Sequence, residues 1–220
     1  MVSIIKIVGS LAKNQCSLVR LCQKLSLISK KYDIIIVPGG GDFADTVRYF
    51  YDKFKLSDDA AHKMSILAMD QYGLLLKDII REAILIYSFD EALECKKGLA
   101  IILPSKVMFS LGPLEHSWNV TSDSISAMIA SSLKAEKLIL AKDVDGIFTA
   151  DPKKKCRAKI FKRISAEKLL NENMESCVDR FLPKILIENQ LVCYVVNGNH
   201  PVRIESVLDG RRDLYTKIIP

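Results

Sequence analysis

The chain is poor in aromatic residues, 7% of 220, and has a single tryptophan, Trp118. Proteins that hold nucleic acid interleave stacking rings with basic side chains, so no nucleic-acid partner is expected despite the formal charge of +6. Long apolar runs are also missing. Ala100 to Leu103 and Leu138 to Ala141 have strand length, far below the roughly 20 residues that cross a bilayer, and no membrane role is expected. The six cysteines, at 16, 22, 95, 156, 177 and 193, form no C-x-x-C pair and have no histidine pair nearby. This argues against a structural zinc site, and no resident metal ligand set is expected. With no N-terminal signal segment, the expectation is a reduced thiol set in a cytoplasmic protein. There is no internal repeat, no low-complexity tract and no G-x-x-x-x-G-K-[ST] loop, which removes the P-loop nucleotide binders.

What is present is enough apolar sequence, 49%, to bury a substantial core. One domain over residues 1–220 is expected, with an N-terminal lobe over roughly 1–135 and a C-terminal lobe over roughly 136–220. The excess of 32 Lys plus Arg over 26 Asp plus Glu suits polyanionic ligands without identifying them. Ser3 to Val8 reads as a strand, Leu18 to Ile28 as a helix, and Asp33 to Val37 as a strand again. Helices are predicted over Asp42 to Phe54 and Ser57 to Ile80, the second turning Met64, Leu67, Ala68 and Leu75 inward. Ala100 to Leu103 and Lys106 to Phe109 read as strands. Thr121, Ser122 and Asp123 open a helix through Leu133, and strands follow over Lys137 to Ala141 and Val192 to Val196. The alternation predicts an α/β fold, a three-layer sandwich whose central, mostly parallel sheet carries helices on both faces. Ligands in such folds gather at the carboxyl ends of the strands.

Gly39, Gly40 and Gly41 follow the second strand directly and precede a helix. Glycine offers backbone N–H groups with no side chain in the way, so the feature points to phosphate, although tight turns alone would use the same residues. Gly39, Gly41 and Ala44 satisfy G-x-G-x-x-A. In the dinucleotide fold, however, the next element is a strand ending in an acid, and here a second helix begins instead.

A second cluster runs from Trp118 through Asn119, Val120, Thr121, Ser122, Asp123, Ser124 and Ile125. After one helix and one strand come Lys142, Asp143, Val144, Asp145, Gly146, Ile147, Phe148, Thr149, Ala150, Asp151 and Pro152. In this order, with Lys6, Gly9 and Ser10 after the first strand and the glycine triplet between, the chain resembles the amino-acid kinase superfamily over nearly its whole length. Within it the uridylate kinase branch is the nearer. Asp58 to Met64, Ala68 to Gln71 and Trp118 to Ser124 are further similar to the archaeal kinases that phosphorylate an aminomethylfuran methyl phosphate in methanofuran biosynthesis.

The resemblance implies ATP and Mg2+ as co-substrate and ion, a small phosphorylated molecule as acceptor, and a homo-oligomer. It implies that Lys6 and Lys142 meet the β- and γ-phosphates, with Asp123 orienting both. Gly9, Ser10, Gly39, Gly40 and Gly41 would cradle phosphate, and Asp143, Asp145, Gly146, Phe148, Asp151 and Pro152 would hold the nucleotide. Asp42, Asp45, Arg48, His62 and Thr121 would bind the acceptor, with Asp42, Asp45, Asp58 and Asp59 as candidates to meet an ammonium. Each has a plainer alternative: solvated strand-end lysines, Asp123 as a helix cap, Phe148 as core, His62 as a structural histidine. Two positions depart from the family pattern. Val8 stands where many members have glycine, and His62 where uridylate kinases hold an acid, which puts uridine recognition in doubt. A uridylate-type acceptor, another small-molecule phosphate, and a nucleotide-binding protein without turnover remain open. With the chain ending at Pro220, no appended regulatory domain is expected.

Overall fold

The computed structural model describes residues 2–95, 98–110, 121–150, 155, 157–171 and 176–220. Strands β1 (Ser3–Ile7) and β2 (Ile34–Pro38) are buried at every position, as isoleucine-rich strands covered on both faces must be. Between them lie a 3-10 turn, Gly9–Lys13, and helix α1 (Gln15–Ile28), whose start is capped by Asn14 accepting from Ser17 N at 3.0 Å. Helices α2 (Gly41–Phe54) and α3 (Asp58–Ile79) follow as a hairpin. Lys55 turns the chain in the left-handed conformation at φ 52°, and the Ser57 hydroxyl caps α3.

Next come β3 (Ile84–Ile86), α4 (Phe89–Glu94), β4 (Leu99–Ile102), α5 (Pro104–Ser110), α6 (Ser122–Ser132) and β5 (Lys137–Lys142). The described chain closes with β6 (Arg163–Ser165), α7 (Ala166–Asn171), α8 (Leu182–Glu188), β7 (Cys193–Asn197), α9 (Val202–Leu208) and β8 (Thr216–Ile219). The sheet runs β3-β4-β2-β1-β5-β7-β8-β6, parallel except for the β7–β8 pair.

Side chains alternate across each strand, so β1 and β5 each divide between the two faces. Ile5 and Ile7 of β1, with Ile139 and Ala141 of β5, pack into one apolar cluster with α1 and α9. Ile4, Leu138 and Leu140 join the other cluster with α6 and α8. Lys6 and Lys142 fall in phase with that second set. Because β1 and β5 are parallel neighbours with Lys6 beside Leu140, two ammonium groups emerge on one face, at one end of the sheet, under α6.

The alternation of elements predicted from the sequence stands, with two corrections. Lys106 to Phe109 is helical, within α5. A short apolar run does not separate strand from helix, and here Pro104 at the first helical position and the Asp70 carboxylate accepting from Ser105 N at 3.1 Å decide for helix. On α3, Ala68 is buried and Met64 half-buried as expected, but Leu67 and Leu75 are 45% and 36% exposed. The buried stripe is Ile66, Met69, Tyr72 and Leu76.

The two glycine segments touch. A Cβ on Gly9 would lie 2.1 Å from both Cα and N of Gly41, and Gly41 itself has φ +56°. Glycine here lets one backbone lie against another. Gly9→Ala is expected to push the β1 and β2 loops apart and to cost about 1–3 kcal/mol, the usual range for overpacking, read as a lower midpoint in denaturant unfolding.

Candidate active site

Lys6, Asp123 and Lys142 meet below the surface. Lys6 Nζ donates to Asp123 Oδ1 at 2.8 Å and Lys142 Nζ to Oδ2 at 2.5 Å, with the three residues 2%, 2% and 6% exposed. Asp123 sits in the first turn of α6, which Thr121 caps with its hydroxyl accepting from Asp123 N at 3.3 Å. Its carboxylate is thus turned to two cations rather than to the helix end. Burial works to raise the Asp123 carboxyl, but the two ammonium charges override it and hold the group well below the carboxylate range. Burial is also the largest influence on both lysines. For Lys6 it prevails, with Lys142 adding repulsion, and brings the ammonium down from 10.5 to about 8. For Lys142 the Asp123 charge outweighs it and the shift is upward.

Above this bridge opens a cleft of about 960 Å³. Of the residues the sequence pointed to, Lys6, Gly9, Ser10, Gly40, Gly41, Asp42, Asp45, Arg48, Thr121, Asp123 and Lys142 all line it. Gly39 does not. Its N–H donates to Ile7 O at 2.8 Å, so it contributes close packing rather than a donor to the cleft.

A second cavity shares Gly40, Ala44, Arg48, Thr121 and Ser122 with the cleft and extends between α2 and α3. His62 lines it, together with Asp58, Ser65, Ile66, Met69 and Ile125. Among the four candidate acids, only Asp58 lies on this cavity. Asp42 and Asp45 face the cleft, where Asp45 pairs with Arg48 at 2.5 Å, and Asp59 pairs with Lys63 at 2.8 Å away from both.

The segment after β5 lies elsewhere. Asp143, Asp145, Gly146 and Phe148 do not line the cleft among the described residues, and Asp151, Pro152 and Trp118 to Val120 lie outside the described residues. Asp145 accepts from Asn197 Nδ2 at 2.9 Å and Arg203 at 2.5 Å. Burial works to raise its carboxyl, and these two donors bring it below the ordinary value. Gly146, at φ +156°, lies against Thr216, and Ile147 N donates to Thr216 Oγ1 at 2.8 Å. Phe148 forms an antiparallel bridge with Ile160. This loop is therefore tied to β7, β8 and α9.

One participant was missed. Asp179 lines the cleft and accepts from Thr121 N, Thr121 Oγ1, Ser124 N, Ser124 Oγ, Phe181 N and Leu182 N, at 2.5 to 3.2 Å. It binds the start of α6 to the start of α8 and thereby fixes where Asp123 points. The sequence signal, an aspartate three residues before Leu182, marks a helix cap and says nothing of α6. Cys177 also lines the cleft; burial pushes its thiol up to about 11 and keeps it neutral.

Residues 84–204 match the model of the amino acid kinase family. The chain is 35% identical over 218 residues to the [5-(aminomethyl)furan-3-yl]methyl phosphate kinase of Methanocaldococcus jannaschii, covering 98% of this chain and 97% of that one. It is 24% identical to the uridylate kinase of Pyrococcus abyssi, over 88% of this chain and 87% of that one. The crystal structure of UMP kinase from Ureaplasma parvum superposes with a TM-score of 0.81 at 22% identity, covering 100% and 99% of the two chains. The chain belongs to the amino acid kinase family and is a kinase.

The bridge itself is open to test. Asp123→Ala leaves two buried ammonium groups without their anion and is expected to cost about 3–5 kcal/mol in chemical denaturation. In the folded protein Lys6 should lose its proton near pH 8. Asp123→Asn removes the charge that supports the protonated form, so the Lys6 midpoint should move further down, read by NMR of 13C-labelled lysine. A midpoint that stays put or rises would show that Asp123 is not its main anionic partner.

Proposed function

We propose that this kinase moves the γ-phosphoryl group of ATP onto the phosphate of [5-(aminomethyl)furan-3-yl]methyl phosphate, giving the diphosphate and ADP, as a step of methanofuran biosynthesis. The observation that carries it is the continuity of the cleft over Lys6 and Lys142 with a cavity bearing Asp58, so that a phosphate and an ammonium on one small molecule each meet the opposite charge. Near-complete coverage of a relative with that printed substrate supports the choice of acceptor.

In this reading an oxygen of the acceptor phosphate attacks the γ-phosphorus, the bond from the γ-phosphorus to the bridging oxygen breaks, and ADP leaves with that oxygen. A phosphate with second pKa near 6 is mostly ionised at neutral pH, so no side chain need take its proton. The work is to bring two polyanions together in line, and two ammonium groups aimed by one carboxylate suit that work. Gly40 and Gly41 at the start of α2 add backbone donors and the positive end of the helix dipole. Arg48, on both the cleft and the cavity, is assigned to the acceptor phosphate, and Thr121 to the cleft wall beside it.

Mg2+ would lower the charge of the bound triphosphate and hold its geometry. The carboxylates of Asp123 and Asp179 are already occupied by hydrogen-bond donors, and the described residues include no ready cluster of metal ligands. A donor set of that kind fits an ion carried mainly by the phosphates. Asp143, Asp145, Gly146, Phe148, Asp151 and Pro152 are assigned to the nucleoside end, with the acceptor lobe ahead of about residue 135 and the nucleotide lobe behind it. No helix of the described residues is long and apolar enough to cross a membrane, in keeping with a cytoplasmic enzyme. Phe50 and Phe54 of α2 and Leu67, Leu74 and Leu75 of α3 are exposed, which supports association of copies through that hairpin.

The acceptor is tested by offering ATP and Mg2+ with the aminomethylfuran methyl phosphate, UMP, isopentenyl phosphate, glutamate and aspartate. Turnover of the furan compound is expected; turnover of UMP alone would replace this acceptor by a uridylate one, which the uridylate kinase relatives make the second reading. Lys142→Ala should lower kcat by about 100-fold or more, the usual loss of a charge-stabilising group. Asp58→Asn should raise the acceptor KM about 10-fold with the KM for ATP retained, as for a lost charge-assisted contact, and Asp45→Asn, which releases the Arg48 assigned to the acceptor phosphate, should raise it by less.

A further inference from the structure

Serines inside the helices of this protein turn their hydroxyls back to the preceding turn or, as Ser124 and Ser131 do, to a side chain of another segment. Ser126 donates to Ser122 O at 2.5 Å and Ser206 to Val202 O at 3.3 Å, four residues back in each case. Ser65, in the middle of α3, does neither. Its Oγ is closed off from solvent and has no hydrogen-bond partner among the described residues, yet the residue lines the cavity between α2 and α3. Tyr72 has the only other such atom among the described residues, and it belongs to the core on the opposite face of the sheet.

Asp58, His62, Ser65 and Met69 form one stripe along α3. At about 1.5 Å per residue, Ser65 lies about 10 Å along the axis from Asp58 and about 6 Å from Met69. The cavity wall joins apolar Ala44, Ile66, Met69 and Ile125 to polar Arg48, Asp58, His62, Thr121 and Ser122. A charged group finds its partner at the Asp58 end, while the neutral Ser65 hydroxyl, about two turns further along, suits a neutral heteroatom. An unbonded hydroxyl is unfavourable in the empty protein, and a ligand that supplies an acceptor atom offsets that cost.

We propose that Ser65 determines acceptor specificity by turning its hydroxyl into the cavity and donating it to the ring oxygen of the bound furan, between the phosphate at Gly40 and the ammonium at Asp58. This rests on the acceptor assigned above. Such a contact is neutral, so its effect should be modest and confined to acceptor binding.

The test compares the furan acceptor with its thiophene analogue, in which a weakly accepting sulfur replaces oxygen in the same ring position. Wild type should show a KM about 3- to 10-fold higher for the thiophene compound, the size expected of one neutral hydrogen bond. In Ser65→Ala the KM for the furan compound should rise by a similar factor and the ratio between the two acceptors should fall to about one. The kcat and the KM for ATP should stay as in wild type. The melting temperature should be unchanged or higher, since the variant loses an unpaired buried group. A ratio equal to that of wild type would overturn the proposal, as would a lowered melting temperature with unchanged KM, the signature of a purely structural serine. Failure of wild type to phosphorylate the furan compound at all would instead remove the acceptor, and this contact with it.

Discussion

Two lysines and one aspartate, all buried, meet at the carboxyl ends of two adjacent parallel strands, and much of the molecule is arranged around that meeting. Desolvating three charges is unfavourable, and only close pairing makes it tolerable. Asp123 takes both ammonium groups, one on each carboxylate oxygen. The trio keeps a net positive charge at the base of the cleft, with the Asp179 carboxylate on the wall beside it. The depressed Lys6 shows the same imbalance, since burial and a second ammonium both press on its proton.

That arrangement needs support from several directions. The strand register of β1 and β5 sets the two lysines, and α6 brings Asp123 over them. Asp179 ties α6 to α8 through six hydrogen bonds, so the orientation of the aspartate depends on a residue 56 positions later in the chain. On the other side, Gly9 and Gly41 lie backbone to backbone and close the floor of the cleft. The glycines thus serve packing as well as access, and Gly39 serves packing alone.

The order of elements was readable because it follows from local pattern, whereas the charged trio was singled out only by the chain's resemblance to a known family. Apolar runs carrying Lys6 and Lys142 near their ends announce buried strands with a polar end, and Thr121, Ser122 and Asp123 announce a helix start. Lys106 to Phe109 was misread because four residues carry too little periodicity to separate strand from helix; its context, a proline and a carboxylate from another helix, is not local. The inward face of α3 was misread by Leu67 and Leu75, since apolar identity says that a side chain prefers burial but not which side of a helix has a neighbour. Asp58 and Asp45 look equivalent as sequence. They differ only in which cavity each one faces.

The sequence by itself determined the alternating α/β layout and the glycine segments, because propensity, capping and period are properties of neighbours along the chain. Tertiary structure alone decided that Lys6 and Lys142 share one carboxylate, that Asp179 holds it in place, that Gly9 and Gly41 are in contact, and that Ser65 keeps an unpaired hydroxyl beside a cavity. Each of these is a matter of distance between segments far apart in the chain. Such distances are set by how the sheet and its helices pack, which no single stretch of residues encodes.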